Sequence, residues 1–346
     1  MMSNLINYSL SFQFINKRQL SIILSLLLIF FVTLSVAISI GSFKLSILDF
    51  FAGNLSQLHQ KVLLHIRAPR VLLAALVGAS LSLSGACLQG LFRNPLADPG
   101  LIGVSSGAAL GAALTIVLGA KIIPSYIFGP YILPFSAIVG SATVIILLFA
   151  FTKGFGVKSM IYMLLVGIAV NAFAGVGIGI LTYISSESEL RSLTFWTMGS
   201  FGGVTWDLIL PAALTIFFAF LWTFRISRKL DLLQLGESEA YSLGVNIKRL
   251  RFDIIISSAI IVGISVSLSG MIGFVGLIVP HLARLFGGVN HNYLLPASIL
   301  TGAIIMIFAD LLSRVLIQPA ELPVGLITSA IGSPFFLWLI FNMRKK

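Results

Sequence analysis

From Arg67 to Gly107 the chain reads RAPRVLLAALVGASLSLSGACLQGLFRNPLADPGLIGVSSG. The run from Val71 to Phe92 is almost wholly apolar and has the length of about 20 residues that a helix needs to cross a bilayer. Arginines frame it at Arg67, Arg70 and Arg93. Directly after it, NPLADPG (94–100) combines Pro, Asp and Gly, the residues of a sharp turn, and a second apolar segment follows at once. This arrangement predicts two membrane spans joined by a tight polar elbow. Part of the stretch returns later: VGASLSLSG (77–85) reappears as VGISVSLSG (262–270). An internal repeat at that separation in a membrane protein implies two structurally related halves.

The rest of the chain fits the same reading. Hydrophobic residues make up 58% and charged residues 10%, against about 25% charged in a soluble domain. Ten apolar segments are predicted, near 20–40, 71–92, 100–118, 132–152, 159–184, 205–224, 252–272, 273–286, 296–314 and 322–341. The first lacks a small-residue cleavage site and reads as a retained helix rather than a signal peptide. The eighth is short and contains Gly273, Gly276 and Pro280, which predicts a partial or broken helix surrounded by protein. The single cysteine, Cys87, excludes an internal disulfide.

The net charge of +11 reads as topology rather than as affinity for nucleic acid. With ten spans and both termini in the cytoplasm, basic residues concentrate inside, at Lys17, Arg18, Arg93, Lys153, Lys158, the 225–251 loop, Arg284 and Arg344 to Lys346. Only Lys44, Lys61, Arg67, Arg70, Lys121, Arg191 and Arg314 face out. That asymmetry follows the positive-inside rule. In this topology the first copy of the repeat runs outside to inside and the second runs back, so the two five-helix halves would be inverted. Each copy places Gly, Ser and Gly on one helix face, Gly78, Ser82 and Gly85, then Gly263, Ser267 and Gly270. Small residues there let helix backbones approach closely.

The longest inner connection, 225–251, is too polar to span and too small to be a nucleotide-binding domain, and no G-x-x-x-x-G-K-[ST] phosphate loop occurs anywhere. Leu230, Leu233 and Leu235 form an apolar patch, and a second short helix is predicted through Glu237–Leu243, stopped by Gly244. Two short helices broken at Gly236 would make a compact knob; the alternative is a basic loop on lipid headgroups. Rows of small residues mark two spans: Gly167, Asn171, Gly175 and Gly179, and Gly325, Ser329 and Ser333. They suit either tight packing or the wall of a cavity, with Asn171 expected to face water.

Several blocks resemble the FecCD family, the permease subunits of type II ABC importers for iron–siderophores, haem and vitamin B12. They are the 67–107 stretch, LTFWTMGSFGGVTW (193–206), LGESEAYSLGVN (235–246), SLSGMIGFVGLIVPHLAR (267–284) and ADLLSRVL…AELPVG…GSPFF (309–336), in order along the chain. The resemblance implies an all-α permease of about ten spans, one transmembrane domain over 1–346 with a cytoplasmic tail (1–19), in the bacterial inner membrane. It implies a non-catalytic subunit, with no cofactor or metal of its own. Its partners would be a separate ATPase dimer, a periplasmic binding protein and a second copy of itself in the bilayer. The 225–251 loop would be the coupling element, with Gly236, Glu237, Ala240, Leu243 and Gly244 as ATPase contacts. Arg67, Arg70 and Arg314 would dock the binding protein. Asn171, Gly175, Gly325 and Ser329 would line the pathway. LRSLTFWTMGS looks most like the haem permeases, with Arg191 at the outer mouth, free to meet propionates or to pair with Glu187. Siderophore and cobalamin remain the alternative cargoes. His281, in the VPH of that resemblance, reads as structural rather than as a haem ligand.

Two other classes compete. An ion-coupled secondary transporter needs ionisable groups deep in its spans, and Asp310 is the one acidic candidate in the C-terminal half. An intramembrane enzyme needs a motif such as H-E-x-x-H, and none is present.

Overall fold

The computed structural model describes residues 15–41, 56–119, 129–152 and 159–343, and every regular element among them is helical. Helix α1 (Lys17–Ser39) opens on a capping box in which Asn16 accepts from the Gln19 N–H and the Gln19 side chain accepts from the Asn16 N–H. A short helix α2 (Gln57–Val62) passes through a π-turn (Leu63–Arg67) into α3 (Ala68–Phe92). Pro69 sits in the first turn of α3, where its missing N–H is no loss. Arg93 ends α3 in the left-handed region at φ 47°. In the elbow Asp98 accepts from the Gly100 N–H at 2.8 Å and begins a 3-10 turn (Pro99–Ile102), after which α4 (Val104–Leu114) heads back.

Then come α5 (Ile132–Thr152), α6 (Ser159–Ile184), α7 (Glu187–Met198) and α8 (Trp206–Phe224). Two short helices, α9 (Ser227–Leu233) and α10 (Glu237–Ser242), lead into α11 (Ile247–Ser269). The chain finishes with α12 (Val275–Gly287), α13 (His291–Val315) and α14 (Val324–Met343). Among the described residues 7 helices are long and apolar enough to cross a membrane, and three shorter apolar ones accompany them at Val104–Gly119, Val275–Gly287 and Val324–Leu339. Together they match the ten predicted spans. The α2 segment and π-turn have no counterpart in the sequence reading, because Gln57, His59, Gln60, Lys61 and His65 interrupt any apolar run there.

The core is organised around α3. Within its most apolar stretch 89% of residues are buried, against 6% for α1, so α3 is the central helix and α1 a peripheral one. Its small residues explain this. A Cβ at Gly78 would overlap the Gly302 carbonyl of α13, one at Gly85 would overlap the Gly276 carbonyl of α12, and one at Gly302 would overlap Ser82. Without a hydrophobic drive between helices in lipid, this close backbone approach is what packs them.

The two repeat copies run in opposite directions. The last turn of α3 and the first turn of α11 both adjoin the α9–α10 pair, since Gln234 donates to the Gly90 carbonyl and Arg251 pairs with Glu237. They are packed differently, however. Gly263 faces the Ser141 side chain, and Gly270, at φ 72°, terminates α11 against the Trp196 carbonyl. The second copy ends its helix where the first continues for two more turns, and the irregular link Gly270–Phe274 follows. Phe274 takes φ 68° and packs over Gly332 of α14.

Candidate functional site

The α9–α10 knob forms as two short helices separated at Gly236 (φ 130°) and stopped at Gly244 (φ 86°). Glycine is required at both because side chains disfavour those angles. Helix α9 is fastened to the spans. Leu230 and Leu233 are fully buried. The Asp231 Oδ1 accepts from the His291 backbone N–H at 2.9 Å and lies 2.6 Å from His291 Nδ1. Gln234 Nε2 donates to the Gly90 carbonyl at 2.9 Å, and Ser227 Oγ donates to Asn292 Oδ1 at 2.9 Å. Helix α10 is fastened to α11 by the Arg251–Glu237 ion pair at 2.6 Å.

What projects outward is Leu235, Tyr241 and Leu243, 63%, 74% and 58% exposed. Beside them a groove of about 1050 Å³ is bounded by Glu237, Tyr241, Gly244, Asn246, Lys248 and Arg251. Among the expected contact residues, Leu243 is thus displayed. Ala240 is not: it is fully buried and its methyl belongs to the core. Glu237 is committed to Arg251, and Gly236 and Gly244 serve the backbone turns.

The opposite side of the bundle corrects a second expectation. Arg67, Arg70 and Arg314 are 5%, 7% and 8% exposed, so they are not a displayed docking surface. Arg70 Nε donates to Asp310 Oδ1 at 2.8 Å, and its Nη1 donates to both Glu321 oxygens at 2.8 and 2.9 Å. Arg314 Nε lies 3.1 Å from Asp310 Oδ2. That oxygen receives no directed hydrogen bond, so proximity of charge holds the pair. The guanidinium donors of Arg314 go instead to the Ala37 and Ile40 carbonyls, and Arg67 Nη1 donates to those of Ile38 and Ser39. The two arginines therefore close the orphaned last turn of α1, where cations are favoured.

The physical reason is Asp310. Fully buried, it is tolerable as a carboxylate only between cations. Arg70 and Arg314 flank it from two sides. The sequence signal lies in the i, i+4 spacing of Asp310 and Arg314 and in the Glu321 of AELPVG.

The pathway candidates divide. Gly175 of α6 is exposed and a Cβ there would meet nothing within 4 Å, as at Gly179. Gly167 is packed against the Leu101 carbonyl instead. Asn171 does not present its amide to water as expected, because Nδ2 donates to the Gly100 carbonyl at 3.1 Å and so ties α6 to the elbow. Gly325 is buried against the Met198 carbonyl, whereas Ser329 is half-exposed. Helix α7 forms behind a Ser186–Glu189 capping box. Arg191 is exposed on it and lies over the Phe195 ring, 5.9 Å from its centre, with no ion pair to Glu187. His281 packs edge-on against Phe335. Among the described residues no cluster of His, Cys, Asp and Glu could hold a metal.

Known proteins resemble the chain along nearly its whole length. The FecCD transport family model matches residues 26–342. The hemin transport system permease protein HmuU of Yersinia pestis is 42% identical, over 95% of this chain and 98% of its own. A vitamin B12 import system permease protein, BtuC of Citrobacter koseri, is 36% identical over 99% and 100%. Among solved structures, a metal-chelate type ABC transporter in an inward-facing conformation superposes with a TM-score of 0.83 at 37% identity, covering 93% of this chain and 99% of that one.

Proposed function

Because the chain belongs to the FecCD transport family, and is an ABC-importer permease of the bacterial inner membrane, we propose that it carries haem. In this reading a periplasmic binding protein delivers the cargo to a pathway between two copies of the chain. A separate ATPase dimer supplies the energy. The observation that carries the permease mechanism is the α9–α10 knob: two short helices, fastened to three spans, that present apolar Leu235, Tyr241 and Leu243 to whatever lies beyond. An exposed apolar cluster of this kind is an interaction site by default. It lies on the basic side of the bundle, with Arg225, Arg228, Lys229, Lys248 and Arg249 all exposed around it. We assign that side to the cytoplasm, which places both ends of the chain there.

Haem is favoured over other family cargoes by two things. The similarity to the Yersinia pestis hemin permease extends over nearly all of both chains. Arg191 sits exposed over Phe195 on helix α7, a cation and an aromatic ring that suit a planar molecule bearing carboxylates. The test is uptake into proteoliposomes containing the permease and ATPase, with the cognate binding protein loaded with haem, a ferric siderophore or cobalamin. Haem accumulation that requires ATP is expected. Transport of either other cargo in preference to haem overturns the assignment.

A further inference from the structure

Helices α3 and α13 run antiparallel and are joined at three levels. At the knob end, Gly90 of α3 lies against the imidazole of His291, the first residue of α13, and a Cβ at Gly90 would stand 2.7 Å from His291 Nε2. In the middle, Gly78, Ser82 and Gly302 bring the two backbones together. At the far end, Arg70 of α3 and Arg314 of α13 grip Asp310 between them. These two helices form the most extensively packed pair among the described elements. Glycine-to-carbonyl contact leaves no room for sliding, because interiors packed to this density deform as units.

The short helix α9 packs against α10 and is also bonded to the α3–α13 pair by its own side chains. Asp231 binds both the backbone N–H and the ring of His291. Gln234 donates at 2.9 Å to the Gly90 carbonyl in the last turn of α3, which otherwise receives only the long 3.4 Å bond from the Arg93 N–H. Ser227 reaches Asn292. Between α9 and α10 the backbone passes through Gly236 at φ 130°, a natural hinge, and α10 is fastened elsewhere, to α11 through Glu237–Arg251. The knob is therefore tied to the membrane domain by two sets of side-chain bonds, one from each short helix.

We propose that α9, α3 and α13 move as one rigid body. Asp231 and His291 would be the positioning residues that transmit displacement of the knob to the Arg70–Asp310–Arg314 cluster on the outer side. This rests on the permease reading above and adds the route by which the ATPase and the outer face sense each other. The two connections also separate roles: α10 displays the apolar contact residues, while α9 carries motion into the central helix pair.

The experiment uses the whole transporter, permease with ATPase and binding protein, in lipid nanodiscs and proteoliposomes. In Asp231→Asn and His291→Asn, recovery of the ATPase with the permease is expected to persist. The stimulation of ATP hydrolysis by cargo-loaded binding protein, and the cargo moved per ATP, are expected to fall by on the order of tenfold, the upper range for residues along a coupling network. Wild-type stimulation and wild-type cargo per ATP in both variants overturn the proposal. A second measurement holds if those variants fold poorly. Ser227→Cys with Asn292→Cys, cross-linked by oxidation or a short bifunctional thiol reagent, joins α9 to α13. A rigid body is indifferent to that bond, so transport within about twofold of the reduced protein is the expected result. Loss of transport on cross-linking, regained on reduction, shows that α9 must move relative to α13 and overturns the proposal. Loss of ATPase recovery in Leu243→Asp, by contrast, bears on the knob as docking site and leaves this question apart.

Discussion

At one end of the α3–α13 pair, three arginines and two carboxylates are drawn together, and only Glu321, half-exposed in its side chain, reaches water. At the other end the polar groups Glu237, Arg251, Asp231 and His291 are again paired internally, but three large apolar side chains stand clear of them. The Asp310 end uses its charge to hold helices α1, α3 and α13 together. The knob end uses its charge to fix two short helices and leaves apolar surface exposed. A basic residue at a membrane edge is thus a poor guide to docking unless its acid partners are located first, whereas an exposed Leu or Tyr on a polar loop has no internal use to hide behind.

The comparison breaks most sharply at Asp310. Replacing it with Ala leaves Arg70 and Arg314 buried without their shared counter-charge, a change that costs about 3–5 kcal/mol. We expect Asp310→Ala to be recovered poorly and to unfold at much lower temperature in detergent, as read by thermal stability of the purified permease. Charge reversal at Arg70 should do the same, because it adds a third carboxylate to Asp310 and Glu321. A stable Asp310→Ala protein would show that the outer cluster does not hold the bundle together.

The inner end should respond in the opposite way. Leu243→Asp places a charge on an exposed side chain, so the permease is expected to keep its wild-type melting temperature while recovery of the ATPase falls about tenfold, the effect of removing an interface anchor. Ala240→Leu is the control within the same helix. Its methyl is fully buried, and overpacking a close-fitted site costs about 1–3 kcal/mol, so it should lower stability first. Identical behaviour of the two variants would remove the distinction between the displayed and the packed face of α10.

These expectations mark where sequence was legible. The limits of α5 and α6, the break at Gly236 and the stop at Gly244 follow from apolar run length and from glycine, both local properties, and they appear in the structure as read. The inverted course of the repeat follows from counting spans. Side-chain partners did not follow. Ala240 and Leu243 are three residues apart in one motif, yet only the fold decides which faces the core. Asn171 reaches Gly100 and Arg70 reaches Glu321, separations of 71 and 251 residues that no periodicity reports. The α2 helix was hidden because its polar residues broke the apolar pattern on which span recognition depends.

A smaller effect is expected at Glu321. It shares Arg70 with the buried Asp310 but is itself half-exposed, and an ion pair open to water contributes about 0–1 kcal/mol. Glu321→Gln should therefore shift thermal stability by a few degrees at most, and raising ionic strength should shrink the difference from wild type, since exposed pairs are screened. A loss as large as that of Asp310→Ala would mean that the cluster is one cooperative unit rather than a buried core with an exposed rim.

The mildest change belongs to Arg191, where the outer side carries a cation that the cluster does not use. It is exposed, unpaired with Glu187, and lies against Phe195; an exposed cation–π contact contributes about 0.5–1 kcal/mol, so Arg191→Ala should leave folding and ATPase recovery intact. If it meets haem propionates at the mouth, uptake of haem should slow by a factor of about five, the equivalent of roughly 1 kcal/mol of lost attraction. The slowing should lessen as salt rises, because attraction at an exposed site is screened. Arg191→Lys keeps the charge but loses the planar fork that grips a carboxylate at two points, so partial recovery is expected from it. Haem uptake unchanged in Arg191→Ala at low salt would leave this residue as a surface cation on α7 and reject its role at the mouth.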